Sequence, residues 1–272
     1  MSGYRVLDIE TVPDLRYWTK GPTKWRQEPL LGGVPSASIM SEVMLVPEEP
    51  FPPPQAHRVV AMAWVNLSGD DGRYYTFESS HVSCLWDVTS DLSGDVAERF
   101  LLSEFGCEQS RDEATLVTWN GRTFDLPVIN VRSFLHGLPC EWYYKERDVR
   151  YRYTEAAHCD LMDFFSDFGA ARPMKLGDAA KLVGLPGKFG DVTGENVAAI
   201  VAANANSTAS EAAREVARTV GEYCLSDALQ TAVLFARSRA HKGMISEDFF
   251  RTVVAPSFLA PVMALRERSK QT

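Results

Sequence analysis

No run of about 18 apolar residues occurs in the 272-residue sequence, so no segment is expected to span a bilayer. The first residues lack the basic and then apolar pattern of a secretory leader, and the expected compartment is the cytoplasm. There is no CxxC pair. The five cysteines (Cys84, Cys107, Cys140, Cys159, Cys224) are odd in number and widely spaced, which argues against a disulfide framework or a thiolate zinc site and leaves buried thiols in a reducing compartment. Positive charge is also scarce: 28 Lys and Arg stand against 36 Asp and Glu, a net charge of −8. That balance argues against coating duplex nucleic acid by bulk electrostatics but leaves room for an enzyme that grips a few nucleotides. Internal repeats and low-complexity tracts are absent, and the 45% hydrophobic content suits a globular core.

The chain begins with an apolar strand, "YRVLDIETV", that contains Asp8 and Glu10. Residues 13–56 follow as a proline-rich insertion ending in "VPEEPFPPPQ", where regular structure is expected to fail and the segment to lie over the domain. "HRVVAMAWVNL" and "GRYYTFES" read as strands joined by the turn "SGDDG", making an antiparallel start to a sheet. A helix is expected within 91–106, a buried strand at "ATLVTW" and a helix at "DLPVINVRSFLHG". From Asp160 onward the pattern is helical, ending in the long "SEAAREVARTVGEYCLSDALQTAVLFARSR". This order predicts one α/β or α+β domain over 1–272 built on a central mixed sheet, with 243–272 as a basic C-terminal extension.

Alternation along a strand puts Asp8 and Glu10 on one face, where like charges are unfavourable unless a carboxyl stays protonated or a cation lies between them. Asp125 stands just past "TLVTW" at the start of a helix, and Asp227 follows Tyr223 by four residues, on the same helical face. Four carboxylates and a phenol from three elements are thus candidates to converge.

Quoted in order, "DIET", "WNGRTFDLP" and "YCLSD" resemble the three exonuclease motifs of the DEDD superfamily in its tyrosine branch, specifically the predicted 3′-5′ exonucleases related to the proofreading domain of family B DNA polymerases. "HRVVAMAWV", "HCDLMDFF" and "GLPGKFG" are similar to intervening segments of that group, so the resemblance spans roughly residues 5–240. The sister branch carries a histidine five residues before the last aspartate, where this chain has Glu222. The resemblance implies a ribonuclease H-like fold with a central mixed five-stranded sheet flanked by helices. It also implies hydrolysis of single-stranded DNA from the 3′ end to 5′-mononucleotides, with two divalent cations, Mg²⁺ or Mn²⁺. Asp8 would bridge both ions, Glu10 and Asp227 would complete the water-activating site, Asp125 would help hold the second ion, and Tyr223 would orient the water. RNA 3′-end trimming and a catalytically silent nucleic-acid-binding module are the alternatives.

Asn120 and Phe124 are candidates to position the terminal nucleotide, with packing that aims Asp125 the favoured role for Phe124. "WYYKERDVRYRYTE" interleaves tyrosines with Lys145, Arg147, Arg150 and Arg152, including Tyr151, as expected of a single-strand track or of a tyrosine-rich hairpin. Lys188 in the glycine-rich loop is a candidate phosphate contact, and His158 is expected to be a structural hydrogen-bond partner. Residues 237–272 hold seven Lys or Arg and three acids, an excess that suits either a phosphate backbone or a solvated helical surface.

Overall fold

The computed structural model describes residues 3–18, 24–29, 43–48, 51–70, 74–84, 95–145, 149–185, 187, 192–194, 196–204 and 211–269. Five strands form the main sheet: β1 (Tyr4–Pro13), β4 (His57–Asp70), β5 (Tyr74–Cys84), β6 (Thr115–Thr118) and β7 (His158–Asp160), in the order β5-β4-β1-β6-β7. β1, β4 and β5 pair antiparallel, whereas β6 and β7 run parallel to β1, so the sheet is mixed as expected. With only three residues, β7 is too short for alternation to reveal, and its strand character comes from pairing with β6.

Alternation along the strands divides the sheet into two chemically different faces. Arg5, Leu7 and Ile9 of β1 stand opposite Asn66, Trp64 and Met62 of β4. The helices α1 (Asp95–Asp112) and α2 (Asp125–Leu135) pack on β4, with the Trp64 indole donating to Glu108 of α1 (2.8 Å). On the other face, Asp8 and Glu10 stand opposite Ala63 and Ala61, which in turn pair with Val82 and Cys84 of β5. After the short helices α3 (Glu141–Lys145), α4 (Leu161–Phe165), α5 (Leu176–Leu182) and α6 (Val197–Asn204), the 31-residue α7 (Glu211–His241) covers this second face.

The small side chains explain how close α7 comes. A Cβ added at Gly221 would lie 2.3 Å from Cys84 Sγ and 3.2 Å from Val82 Cγ2, so only glycine fits there. α8 (Glu247–Phe249), a π-helical turn (Phe250–Val254) and α9 (Ala255–Ser269) complete the described chain. Glu247–Arg268 is long and apolar enough by length and composition to cross a membrane. In this fold its residues Phe250, Val254, Phe258, Val262 and Leu265 make a buried stripe at helical spacing, and α9 packs on α7 and β5.

Two expectations are corrected. The insertion contains regular structure: β2 (Lys24–Pro29) and β3 (Val43–Glu48) pair antiparallel as a separate ribbon, with Pro47 opposite Trp25. A two-stranded ribbon has only edge strands, where proline's missing N–H is tolerated. α1 also runs to Asp112, six residues beyond the expected end at 106.

Candidate active site

β1 delivers the first two carboxylates from the middle of the sheet. A register shift follows at once, between Glu10 and Thr11, so the strand bends directly after the pair. α7 lays Tyr223 and Asp227 over the same face. One carboxylate oxygen each from Asp8, Glu10 and Asp227 lies within 4.8 Å of the others. The Tyr223 hydroxyl is hydrogen-bonded to Asp227, and the Cys224 thiol donates to the Asp8 carbonyl oxygen (3.3 Å), pinning helix to strand. Asp125 opens α2 just after β6, buried, and its carboxylate accepts the N–H of Ile9 and its own. Its oxygens stand outside the trio but near enough to bear electrostatically on Asp8.

The electrostatics are those of concentrated negative charge out of water. Burial, then Asp227, Glu10 and Asp125, push the Asp8 carboxyl well above the usual range. Burial pushes Asp125 up to about 7. The Tyr223 phenol is raised by burial and then by Asp227, Glu10 and Asp8, so it stays protonated as a donor. Asp8 Oδ2 is buried with no hydrogen-bond partner. An orphaned carboxylate oxygen among further carboxylates is the donor set that hard divalent cations require, so the residues fit Mg²⁺ or Mn²⁺.

A second acidic group, Asp95, Glu98 and His136, is close enough to chelate but already has its cations. Fully buried Arg132 of α2 binds both Glu98 oxygens, Asp14 (3.0 Å) and the Gln55 carbonyl (2.9 Å), while Arg16 binds Asp14 and Asp95. Glu98 also accepts the Val59 N–H (2.8 Å) and pairs with His136 (2.8 Å). This ionic knot fastens the exit of β1 to α1, α2 and β4, and so fixes the strand bearing Asp8 and Glu10 relative to the helix bearing Asp125. Sequence reasoning missed it, because Asp14 and Arg132 lie 118 positions apart with no local pattern to join them.

Asp160 accepts the N–H groups of Asn120 (2.8 Å), Arg122 (2.9 Å) and Met162 (3.0 Å), so it caps α4 and holds the turn before Asp125. Asn120 sits at φ 65° in that turn, its side-chain oxygen accepting from Thr123. Phe124 immediately precedes Asp125 and packs against His57 (4.9 Å). His158 is fully buried between Thr118 Oγ1 (2.8 Å) and the Val149 carbonyl (3.2 Å), with its pKa lowered by burial to about 3, a neutral hydrogen-bond partner as expected.

Several of the other substrate candidates have partners within the chain. Lys145 pairs with Glu113, which precedes β6, whereas Asp125 follows it. Arg150 lies over the Tyr144 ring (5.0 Å), Tyr151 packs against Tyr153 (5.9 Å), and Arg152 is bound to Asp163 (2.6 Å). Among its described residues the stretch contains the short helix α3 and no strand, and Lys188 and Arg147 lie outside the described residues. In the basic C-terminal region, Arg239 and Lys242 bind Glu155 and Arg237 binds Glu247. Pockets of about 300 and 320 Å³ lie beside α1 and α3 and beside α4 and α7, without any of the five motif residues.

Residues 49–263 match the family described as predicted 3′-5′ exonuclease related to the exonuclease domain of PolB. The family B DNA polymerase of the hyperthermophilic archaeon Pyrobaculum calidifontis superposes with a TM-score of 0.50 at 15% identity, over 88% of this chain and 24% of that one. E. coli exonuclease I in complex with a dT13 oligonucleotide superposes with a TM-score of 0.38 at 10% identity, over 93% of this chain and 44% of that one. The chain thus spans less than half the length of either. No curated protein matches it by sequence. The mixed sheet with helices on both faces is the ribonuclease H-like fold that the motifs implied.

Proposed function

Because the chain belongs to the family of predicted 3′-5′ exonucleases related to the exonuclease domain of PolB, we propose that it removes 5′-mononucleotides from the 3′ end of single-stranded DNA. The observation that carries this reading is the convergence of Asp8, Glu10 and Asp227 within 4.8 Å, beneath Tyr223 and beside Asp125. Asp8, Glu10 and Asp227 would hold one divalent cation, and Asp8 with Asp125 a second. When bound, such a pair supplies an acidified water and charge relief at the departing 3′ oxygen.

The chain's own residues do the positioning. Tyr223, kept protonated by burial and by the carboxylates around it, orients the attacking water by a hydrogen bond and, as a neutral phenol, does not take its proton. The water oxygen bonds to phosphorus and gives up a proton to solvent, the bond from phosphorus to the 3′ oxygen breaks, and that oxygen takes up a proton from solvent and leaves as a hydroxyl. The ionic knot around Arg132 and the cap at Asp160 keep β1, α2 and the Asn120 turn in register, because displacements near 1 Å can cost about 10² in rate.

Digestion of matched 5′-labelled single-stranded DNA and RNA with Mn²⁺ or Mg²⁺ tests the reading. A ladder shortening from the 3′ end, abolished by Asp8→Ala and by chelator, is expected, with DNA the faster substrate. Faster cutting of RNA would reassign the substrate to RNA ends. Full activity in Asp8→Ala would remove the mechanism.

A further inference from the structure

The end of the proline-rich insertion presents an exposed aromatic ring against two residues that adjoin the site. Phe51 is 75% exposed, yet its ring lies 4.9 Å from His57 and 5.7 Å from Phe124, and His57 meets Phe124 edge-on at 4.9 Å. Both supports adjoin site residues: Phe124 is bonded to Asp125, and Thr11, bonded to Glu10, shares a hydrogen bond with His57 Nδ1 (2.9 Å). His57 Nε2 is within hydrogen-bonding distance of the Pro52 carbonyl (2.9 Å), and burial lowers its pKa, so the imidazole is a neutral spacer that ties the Phe51 segment to β1.

That segment is held from behind as well. Three consecutive prolines follow Phe51 and restrict its backbone. Arg132 donates to the Gln55 carbonyl, Asp14 N–H donates to Ala56 O (2.7 Å), and Ala56 N–H donates to Pro53 O (2.8 Å). A large apolar ring held this firmly, tilted against two rings and with most of its surface exposed, is open to stacking by a further flat ring. A nucleobase is such a ring, and stacking on it is independent of base identity.

We infer that Phe51, carried to the site by the insertion, stacks on the base of the terminal or penultimate nucleotide at the 3′ end and so helps hold the strand for cleavage. This rests on the proposed exonuclease reading and adds to it a substrate-binding residue outside the three motifs. It assigns the insertion a task at the site.

The test uses the full chain carrying Asp8→Asn, which binds without cutting, titrated in Mg²⁺ with single-stranded DNA bearing 2-aminopurine at its 3′ end. Stacking quenches that fluorophore. Quenching is expected at the 3′ end and not with the label at the 5′ end. Phe51→Ala should abolish it and weaken binding about tenfold, while Phe51→Trp should restore both. Phe51→Ala with unchanged quenching and affinity would overturn the inference. So would an absence of quenching in the Asp8→Asn chain. The 3′ ladder made by the unsubstituted chain is scored separately, so a ladder together with an indifferent Phe51 removes the stack and leaves the exonuclease.

Discussion

Gly221→Ala puts one methyl group at the closest approach of α7 to the sheet. In an open helix this change stabilises by about 1 kcal/mol, because alanine is the better helix former. Here the new Cβ would lie 2.3 Å from Cys84 Sγ, well inside contact distance, with Val82 closing the other side at 3.2 Å. Both neighbours belong to β5, and Cys84 is buried, so relief requires α7 to lift or the thiol to leave its rotamer. Overpacking of this kind costs about 1–3 kcal/mol, which outweighs the propensity gain and predicts a net loss of about 1 kcal/mol. For a chain of this size that is about 2–4 °C in Tm. Urea unfolding measures the loss, and the Gly221→Ala/Cys84→Ala double variant locates it. Removing the sulfur should return the methyl's benefit, leaving the double variant more stable than the sum of the single changes by about 1 kcal/mol or more. Turnover should suffer more than stability, since Tyr223 and Asp227 ride on the displaced turns. A Gly221→Ala protein more stable than its parent and fully active would refute the packing account.

Tyr223→Phe should lower turnover by about 10² with little change in the Mn²⁺ concentration giving half-maximal rate; an unchanged rate would leave the phenol a packing group. Asp8 and Asp125 have folded pKa values raised above their unfolded ones, so their contribution to stability is present in acid and is lost as pH rises through the folded values, about 7 for Asp125. In chelator, Asp8→Asn should therefore melt above the unsubstituted chain by a margin that widens from pH 5 to 8, and Mg²⁺ should reverse the order. The depressed carboxylates Asp14 and Asp112 act below that window, and the neutral histidines His57 and His158 act equally in both proteins, so neither mimics the widening. Thermal melts across pH check it, and a constant margin would contradict it. Arg132→Ala strands the fully buried Glu98 and should cost about 3–5 kcal/mol in urea unfolding, against less than 1 kcal/mol for the exposed pair partner in Lys181→Ala.

The elements with long periodic patterns were legible in the sequence: β1, β4, β5, α2 and α7 lie where alternation or helical spacing placed them. The trio at the site was legible too, because alternation fixes Asp8 with Glu10 and an i, i+4 step fixes Tyr223 with Asp227. The remainder depends on contacts between distant positions. β7 exists as a strand through β6, the Glu98–Arg132–Asp14 knot joins three separate elements, and Phe51 acquires its neighbours only when the insertion folds back onto His57. The tyrosine and arginine run at 143–153 had an informative composition but no information on partners, and Asp163 and Glu113 took two of its cations.

The thiol of Cys224 reaches the carbonyl of Asp8 across 216 positions of chain. A contact of such span forms late, because the entropy of closing the loop must be met before the contact returns anything. Until α7 docks, the carboxylates of β1 lie on an uncovered sheet face and lack Asp227, so a chain released by the ribosome as far as β7 has most of its sheet and no complete site. Nuclease competence is therefore coupled to completion of folding: truncated or partly unfolded molecules are expected to be inert toward nucleic acid and not loosely active.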